Sequence, residues 1–475
     1  MRSAASRRAF WPSSGVLVCG LAAGLAGCTA SGNDIHPPQD RVFFPSGLAV
    51  SPKGDFLFVA NANSELRYDS GSISVIDLGL VTSAVEQWLA HPGQSPRLEC
   101  HADPEHGETL VCDETQIQDK AQSFFKQNAG VRVGNFATDL ALQNFTDGGE
   151  LTRVFVPTRG DPSISWADFA SDTGTLRCTK GAETYPLCDD LHRLTSVDNN
   201  PDQLPVPTEP FGVFADAHNG FAMVTHLSSG SVTLVKAPHD SSQVMVADVI
   251  TNVFAPDPVS GLRGASGIAG RNPASANDLV YVGGTSENRI QTFTVGTRAD
   301  AAAFLLPGSY FFLDAVGNTT GTSTDTRGMQ FSPMGDRLYI ANRNPPTLQV
   351  YDTSLGPNGI PRNAATGASD ICREASGIAV LGADRTAGTD DRVYVTCFQD
   401  GQIYVVDPSG QSQVEDIISV GRGPYSAAVL GNSPGRKLLF VSNFLEDTIA
   451  VIDLDPGSPT RNRVVLRIGT PKAPS

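Results

Sequence analysis

Short apolar runs alternate with polar turns along most of the chain, and one phrase returns almost intact. "VSPKGDFLFVANAN" at Val50–Asn63 and "FSPMGDRLYIANRN" at Phe331–Asn344 share a turn and the strand that follows it. In each, Pro presets one turn dihedral, Gly accepts a positive one, and the β-branched and aromatic run after them has the pattern of a buried strand. The repeating unit is a short strand led by a small residue or Pro-Xaa, a polar turn, an apolar strand, a second turn, and an alternating strand that often ends in Asp. Seven such units can be laid out: Ser46–Asp77, Thr138–Ala170, Pro210–Lys236, Ser266–Val295, Arg327–Asp352, Ser376–Asp407 and Pro424–Asp453. A fourth strand is expected between units, as in "QVEDIISVG" before Pro424 and "RVVLRIG" after Asp453.

A twisted sheet of four antiparallel strands has two apolar faces and is unstable alone. Packing such sheets around an axis buries both faces and leaves only short edges. The predicted fold is therefore all-β, a seven-bladed β-propeller over residues 41–470 with long inter-blade insertions. Two packed β-sandwiches, the rival architecture, predict no motif shared along the whole chain. Long segments at Leu78–Asn135, Asp172–Glu209, Pro238–Gly264 and Thr297–Asp325 are expected to lie over the faces of the ring. Closure has two candidates: "RVVLRIG" as the last blade's outer strand, or the Asp40–Phe44 segment pairing there.

"LFVAN…GSISVIDL", "LYIAN…LQVYD" and "LFVSN…DTIAVIDL" resemble YVTN-type propeller repeats, in which a YVxN strand precedes a VxVID strand. The resemblance covers most of Ser46–Gly469 and weakens where Thr158, His226, Gly284 and Cys397 replace the Asn. It implies a propeller that displays a binding face, since many proteins of this kind are not enzymes. Similar propellers also include lactonases and cofactor-bearing oxidoreductases.

The front of the chain has the pattern of an address. Arg2, Arg7 and Arg8 precede an apolar run at Gly15–Ala26, too short for a permanent membrane span, and "LAGC" ends it. This resembles the lipobox of bacterial lipoproteins, which implies cleavage of residues 1–27 as a signal peptide and acylation (palmitate among the chains) of Cys28. Thr29 stands where Asp would favour inner-membrane retention, so the implied location is the outer membrane, facing the periplasm. "SRRAFW" at Ser6–Trp11 also resembles the twin-arginine export motif, and both export routes stay open. Residues 28–40, with Ser, Gly, Asn and two prolines, are expected to be a flexible tether.

Composition narrows the partners. With 34 basic residues against 50 acidic, and three of the basic ones in the leader, a nucleic-acid partner is disfavoured. Beyond Cys28, six cysteines fall into neighbouring pairs, Cys100/Cys112, Cys178/Cys188 and Cys372/Cys397, the pattern of three local disulfides in an oxidising compartment. There is no CxxC pair or HxxxH spacing for zinc, no CxxCH for haem, and no HExxH or P-loop motif. No cofactor and no metal are predicted, although "CHADPEH" at Cys100–His106 gathers side chains able to bind a metal weakly.

In a propeller, the loops between blades and those joining second to third strands open on one face. That rule brings Arg159, His226, Arg327, Arg343, Glu374, Arg422 and Tyr425 to the channel mouth, with Asn61, Asn342 and Asn443. Arginines converging in an acidic body suit a carboxylate or phosphate ligand. Alternatively, each pairs with an acid of the next blade, and the asparagines bond backbone. The expectation is a lipid-anchored, monomeric propeller binding a periplasmic protein, a glycan or a small anion. The alternative is a propeller enzyme, a lactonase or an oxidoreductase.

Overall fold

The computed structural model describes residues 35–472 apart from 146–149, 182, 196–203, 217, 272–278, 299–301, 314–323, 384–389, 411 and 432–434. Cys28 and the leader lie outside these residues. Among them, the strands form seven antiparallel sheets, one for each predicted unit. In blade 1, Pro45–Val50, Phe56–Asn61 and Gly71–Asp77 run outward from the axis. In blade 7, Pro424–Leu430, Leu438–Asn443, Thr448–Asp453 and Arg463–Ile468 do the same.

The physical reason for the ring is visible in its core. The buried apolar residues fall into seven clusters, and each joins two successive blades. Val213, Ala222 and Val235 of blade 3, for example, pack with Phe155, Ile164 and Trp166 of blade 2. No blade has a core of its own, so each contributes stability only through its neighbours.

The long segments depart from expectation. They supply outer strands instead of lying over the faces: Met245–Ile250 is the fourth strand of blade 3, and Ala303–Phe312 that of blade 4. Residues 78–135 do three things. They open with a helix, Leu78–Ala90, which the strand pattern did not predict. Asp77, the last residue of its strand, caps it by accepting a hydrogen bond from the Leu80 amide at 3.1 Å. Leu78, Val81, Val85 and Trp88, spaced for one helical face, bury it against blades 7 and 1. The segment later returns as Val131–Val133, the outer strand of blade 1.

Between these, Cys100–Ala102 and Leu110–Cys112 form a hairpin on the far edge of blade 7. Leu110 and Cys112 pair in parallel with Leu466 and Ile468. Thr109 Oγ1 donates to the Val464 carbonyl at 2.6 Å, and the Gly469 amide donates to the Cys112 carbonyl at 2.9 Å. "RVVLRI" is thus blade 7's own outer strand. Closure is secured by a clasp from blade 1, and Asp40–Phe44 forms no strand there.

The three predicted cysteine pairs are bonded: Cys100–Cys112, Cys178–Cys188 and Cys372–Cys397. No helix of the described residues is long and apolar enough to cross a membrane.

Candidate functional site

Two adjacent columns of the repeat build the channel. The outer ring, at the mouth, is Ser46, Thr138, Phe211, Ser266, Arg327, Ser376 and Tyr425, one residue into the first strand of every blade but the second, where Thr138 precedes Ala141–Phe145. One residue further in stand Gly47, Asp139, Gly212, Gly267, Gly328, Gly377 and Ser426. The small residues are a requirement of close approach. A Cβ on Gly47 would lie 2.7 Å from the Leu140 amide nitrogen, and one on Gly212 would lie 2.5 Å from the Ser266 carbonyl. The cavity they enclose is about 120 Å³, room for a few waters or one polar group of a ligand.

Hydroxyls of these columns tie the blades together. Thr138 Oγ1 donates to the Phe211 carbonyl at 2.7 Å, Ser376 Oγ donates to the Pro424 carbonyl at 2.8 Å, and Ser426 Oγ accepts from the Leu48 amide at 3.2 Å.

Asp139 is the one carboxylate in the inner ring. Its Oδ1 accepts from the Leu140 amide at 2.8 Å and its Oδ2 from the Val213 amide at 3.0 Å. Burial pushes its pKa up to about 6, against the pull of those two amides. The surface it keeps faces the channel, not bulk water. A carboxyl titrating there is able to take or give a proton near neutral pH. The sequence reading missed it. The signal was available: every other residue in that column is Gly or Ser.

The predicted mouth residues separate into three groups. Arg159, Arg327 and Arg343 lie within electrostatic reach of Tyr425, along with Asp139. Burial raises the Tyr425 hydroxyl above its ordinary pKa, while the arginines pull it down. Each arginine also has an acid partner: Arg159 with Glu209, Arg327 Nε with Asp325 Oδ1 at 2.8 Å, and Arg343 Nη1 with Glu374 Oε2 at 3.0 Å. Arg343 Nε donates to the Ala375 carbonyl at 2.8 Å, bridging blades 5 and 6. Arg422, in the loop entering blade 7, pairs with Glu446 and donates to the Lys472 carbonyl, and it lines a pocket of about 520 Å³ together with Glu374, the partner of Arg343.

His226 is a correction. It does not open on the mouth; it is fully buried, and burial holds its imidazole down at about 4. Nδ1 lies 3.0 Å from the Thr208 carbonyl and Nε2 lies 2.8 Å from Thr233 Oγ1. The physical reason appears when the seven equivalent positions are compared. Asn61, Thr158, His226, Gly284, Asn342, Cys397 and Asn443 each stand opposite the start of their blade's first strand.

Most of these positions secure the incoming loop. Asn443 Nδ2 donates to the Val420 carbonyl at 2.9 Å and to Thr448 Oγ1 at 3.1 Å, the same two kinds of partner that His226 has. Asn61 Oδ1 accepts from the Phe43 amide at 3.1 Å. Cys397 makes the tie covalently through Cys372. At Gly284 the Phe254 ring fills the space, 2.8 Å from where a Cβ would stand. The departures from the YVTN pattern thus serve the same end by different chemistry, and His226 is a fastening.

No group of three or more His, Cys, Asp or Glu among the described residues could hold a metal ion. Within "CHADPEH", Asp103 Oδ1 accepts from the Glu105 and His106 amides at 2.9 and 3.0 Å, closing an exposed turn.

By architecture, then, the protein is a seven-bladed β-propeller with a hydroxyl- and arginine-rimmed channel. No family model matches the chain, and no curated protein sequence matches it. Solved structures do. A Bacteroides fragilis protein provisionally named a 6-phosphogluconolactonase superposes with a TM-score of 0.54 at 14% identity, over 88% of this chain and 98% of that one. The periplasmic gluconolactonase of Pseudomonas aeruginosa gives 0.48 at 15% identity, over 80% of this chain and 87% of its own. A β-propeller domain from Myceliophteria thermophila gives 0.49 at 10% identity, over 87% and 98%. At such identities the likeness shows the fold.

Proposed function

We propose that this chain is an envelope-anchored propeller, held by lipid at Cys28, that binds a small anionic, hydroxyl-bearing ligand over its channel mouth. The observation that carries this reading is a hydroxyl-lined cavity rimmed by Arg327 and Tyr425, with Arg159 and Arg343 within electrostatic reach of that tyrosine. Their carboxylate partners are half-exposed, and ion pairs in such settings are weak enough for a phosphate or carboxylate to displace one acid. The cavity is too small for a whole sugar, so the ligand lies across the mouth with one polar end inserted. A phosphorylated sugar acid fits that chemistry, in keeping with the name of the Bacteroides fragilis neighbour. Titration calorimetry with 6-phosphogluconate tests it. Arg327→Ala combined with Arg343→Ala should weaken binding at least tenfold, and equal affinity in the variant would remove the proposal.

A second reading, lactone hydrolysis, is favoured by Asp139 alone, because its raised pKa suits a proton acceptor for an attacking water. Proton release from 6-phosphogluconolactone above the spontaneous rate, lost in Asp139→Asn, would support it. A rate equal to the spontaneous one would end it.

Asp139 also carries a stability prediction. The folded state holds its proton up to about pH 6, whereas the unfolded carboxyl releases it near its ordinary value of 3.8. Between those values the unfolded chain binds fewer protons, so stability from this residue falls as pH rises, by about 3 kcal/mol in all. Wild type should therefore lose that much relative to Asp139→Asn between pH 4 and pH 7 in chemical denaturation. A constant difference between the two proteins would show that Asp139 ionises as freely as a solvated carboxyl.

A further inference from the structure

Both described ends of the chain leave from the mouth face. Ile35 is tied there: its carbonyl accepts from the Asp69 amide at 2.9 Å, and His36 Nδ1 lies 2.7 Å from Asp69 Oδ2, in the loop between the second and third strands of blade 1. At the other end, the Lys472 ammonium pairs with Asp447, in the corresponding loop of blade 7, and its carbonyl accepts from Arg422 Nη2 at 2.8 Å.

Around this seam the charge is layered. Phe44 is buried at its centre, with the Arg67 guanidinium 5.6 Å and the Lys472 ammonium 5.5 Å from its ring centroid. The Lys472 side chain is 41% exposed over an Asp447 only 10% exposed, and Arg422 is 36% exposed over a Glu446 that is 11% exposed. Glu446 and Asp447 lie beneath their cations, whereas Glu65, 54% exposed, pairs with Arg67 at the surface, in a protein of formal charge −16. Burial lowers the Lys472 pKa, and Arg67, Arg41 and Arg422 lower it further against the pull of Glu65. Leu66 and Leu445, at the tips of the same two loops, and Ile35 beside them are exposed.

We propose that this seam is a membrane-docking surface, on which Arg422 and Lys472 meet the phosphates of an anionic phospholipid layer while Leu66 and Leu445 touch its interface. The inference rests on the anchoring at Cys28 proposed above. Six residues lie between Cys28 and Ile35, so the seven steps reach at most about 25 Å when fully extended. The tether therefore delivers this edge of the mouth face, and not the opposite face, to the bilayer. Once it is there, basic side chains at an anionic surface are attracted and amphipathic tips are accommodated.

The test uses full-length, lipidated protein in phosphatidylethanolamine–phosphatidylglycerol vesicles carrying headgroup nitroxides. One fluorophore is attached at Ser64→Cys in the seam loop, another at Lys53→Cys in the turn on the opposite face. The Ser64→Cys label should be quenched severalfold more than the Lys53→Cys label, and charge reversal of Arg422 and Lys472 to Glu should diminish the difference. Equal quenching at both sites in an anchored chain overturns the docking surface, and an undiminished difference in the charge-reversed protein overturns the part assigned to the cations. Protein recovered without lipid at Cys28 by mass spectrometry instead removes the anchoring itself.

Discussion

Replacing Arg153 by Met will lower the free energy of unfolding by about 3–5 kcal/mol, the usual loss when one partner of a buried ion pair is removed. Arg153 is fully buried between blades 2 and 3. Its Nε donates to Asp168 Oδ1 at 2.7 Å, while Nη1 and Nη2 reach the Pro238 and His239 carbonyls at 2.7 and 3.3 Å. The guanidinium also stands 4.8 Å from the Trp166 ring centroid and 5.5 Å from that of Phe145. Met can fill much of the volume but leaves a carboxylate and two carbonyls without their donor. Asp168 keeps some contact with water, which places the loss toward the lower end. Chemical denaturation should show the midpoint move, and a shift worth under 1 kcal/mol would mean that water takes over these bonds.

Removing the Cys100–Cys112 bridge, as Cys100→Ser with Cys112→Ser, will cost about 3 kcal/mol, the loop-entropy value for a separation of 12 residues. The loss should be localised. Hydrogen exchange at Leu110–Cys112 and at Leu466–Ile468 should rise together, since these strands share one ladder, while the inner strands of blades 3 to 5 stay protected. Uniform deprotection around the ring would show that the clasp and the whole propeller open as one unit. Against the 5–15 kcal/mol typical of folded proteins, either loss is large.

How much of this was legible in the sequence depended on whether a feature repeats. The strand–turn–strand unit recurs because the same burial problem is solved seven times, so the blades and their inner three strands could be read from alternation alone. Asp139 was hidden for a related reason. It is the one carboxylate in a column of glycines and a serine, visible only when the column is read across units and not along the chain. His226 misled because its position was right and its direction was not: a strand-end residue can face the lumen or the incoming loop, and only packing decides which. The outer strands of blades 6 and 7 were legible as "QVEDIISVG" and "RVVLRIG", whereas the clasp was not, because its partner lies far away. Nothing in "CHADPEHGETLVC" announces that Leu110 will lie beside Leu466. The helix at Leu78–Ala90 carries an apolar period that could have been found, had Asp77 been seen to begin one element as well as end another.

The clasp also imposes an order of events. Its hairpin is synthesised about 350 residues before the strand it must join, so the nascent chain carries an unsatisfied edge for most of its production. A message cut short after Asp453 would yield every blade's inner strands and still leave that edge searching for a partner. Emergence of Arg463–Ile468 is therefore the moment at which that edge stops being adhesive.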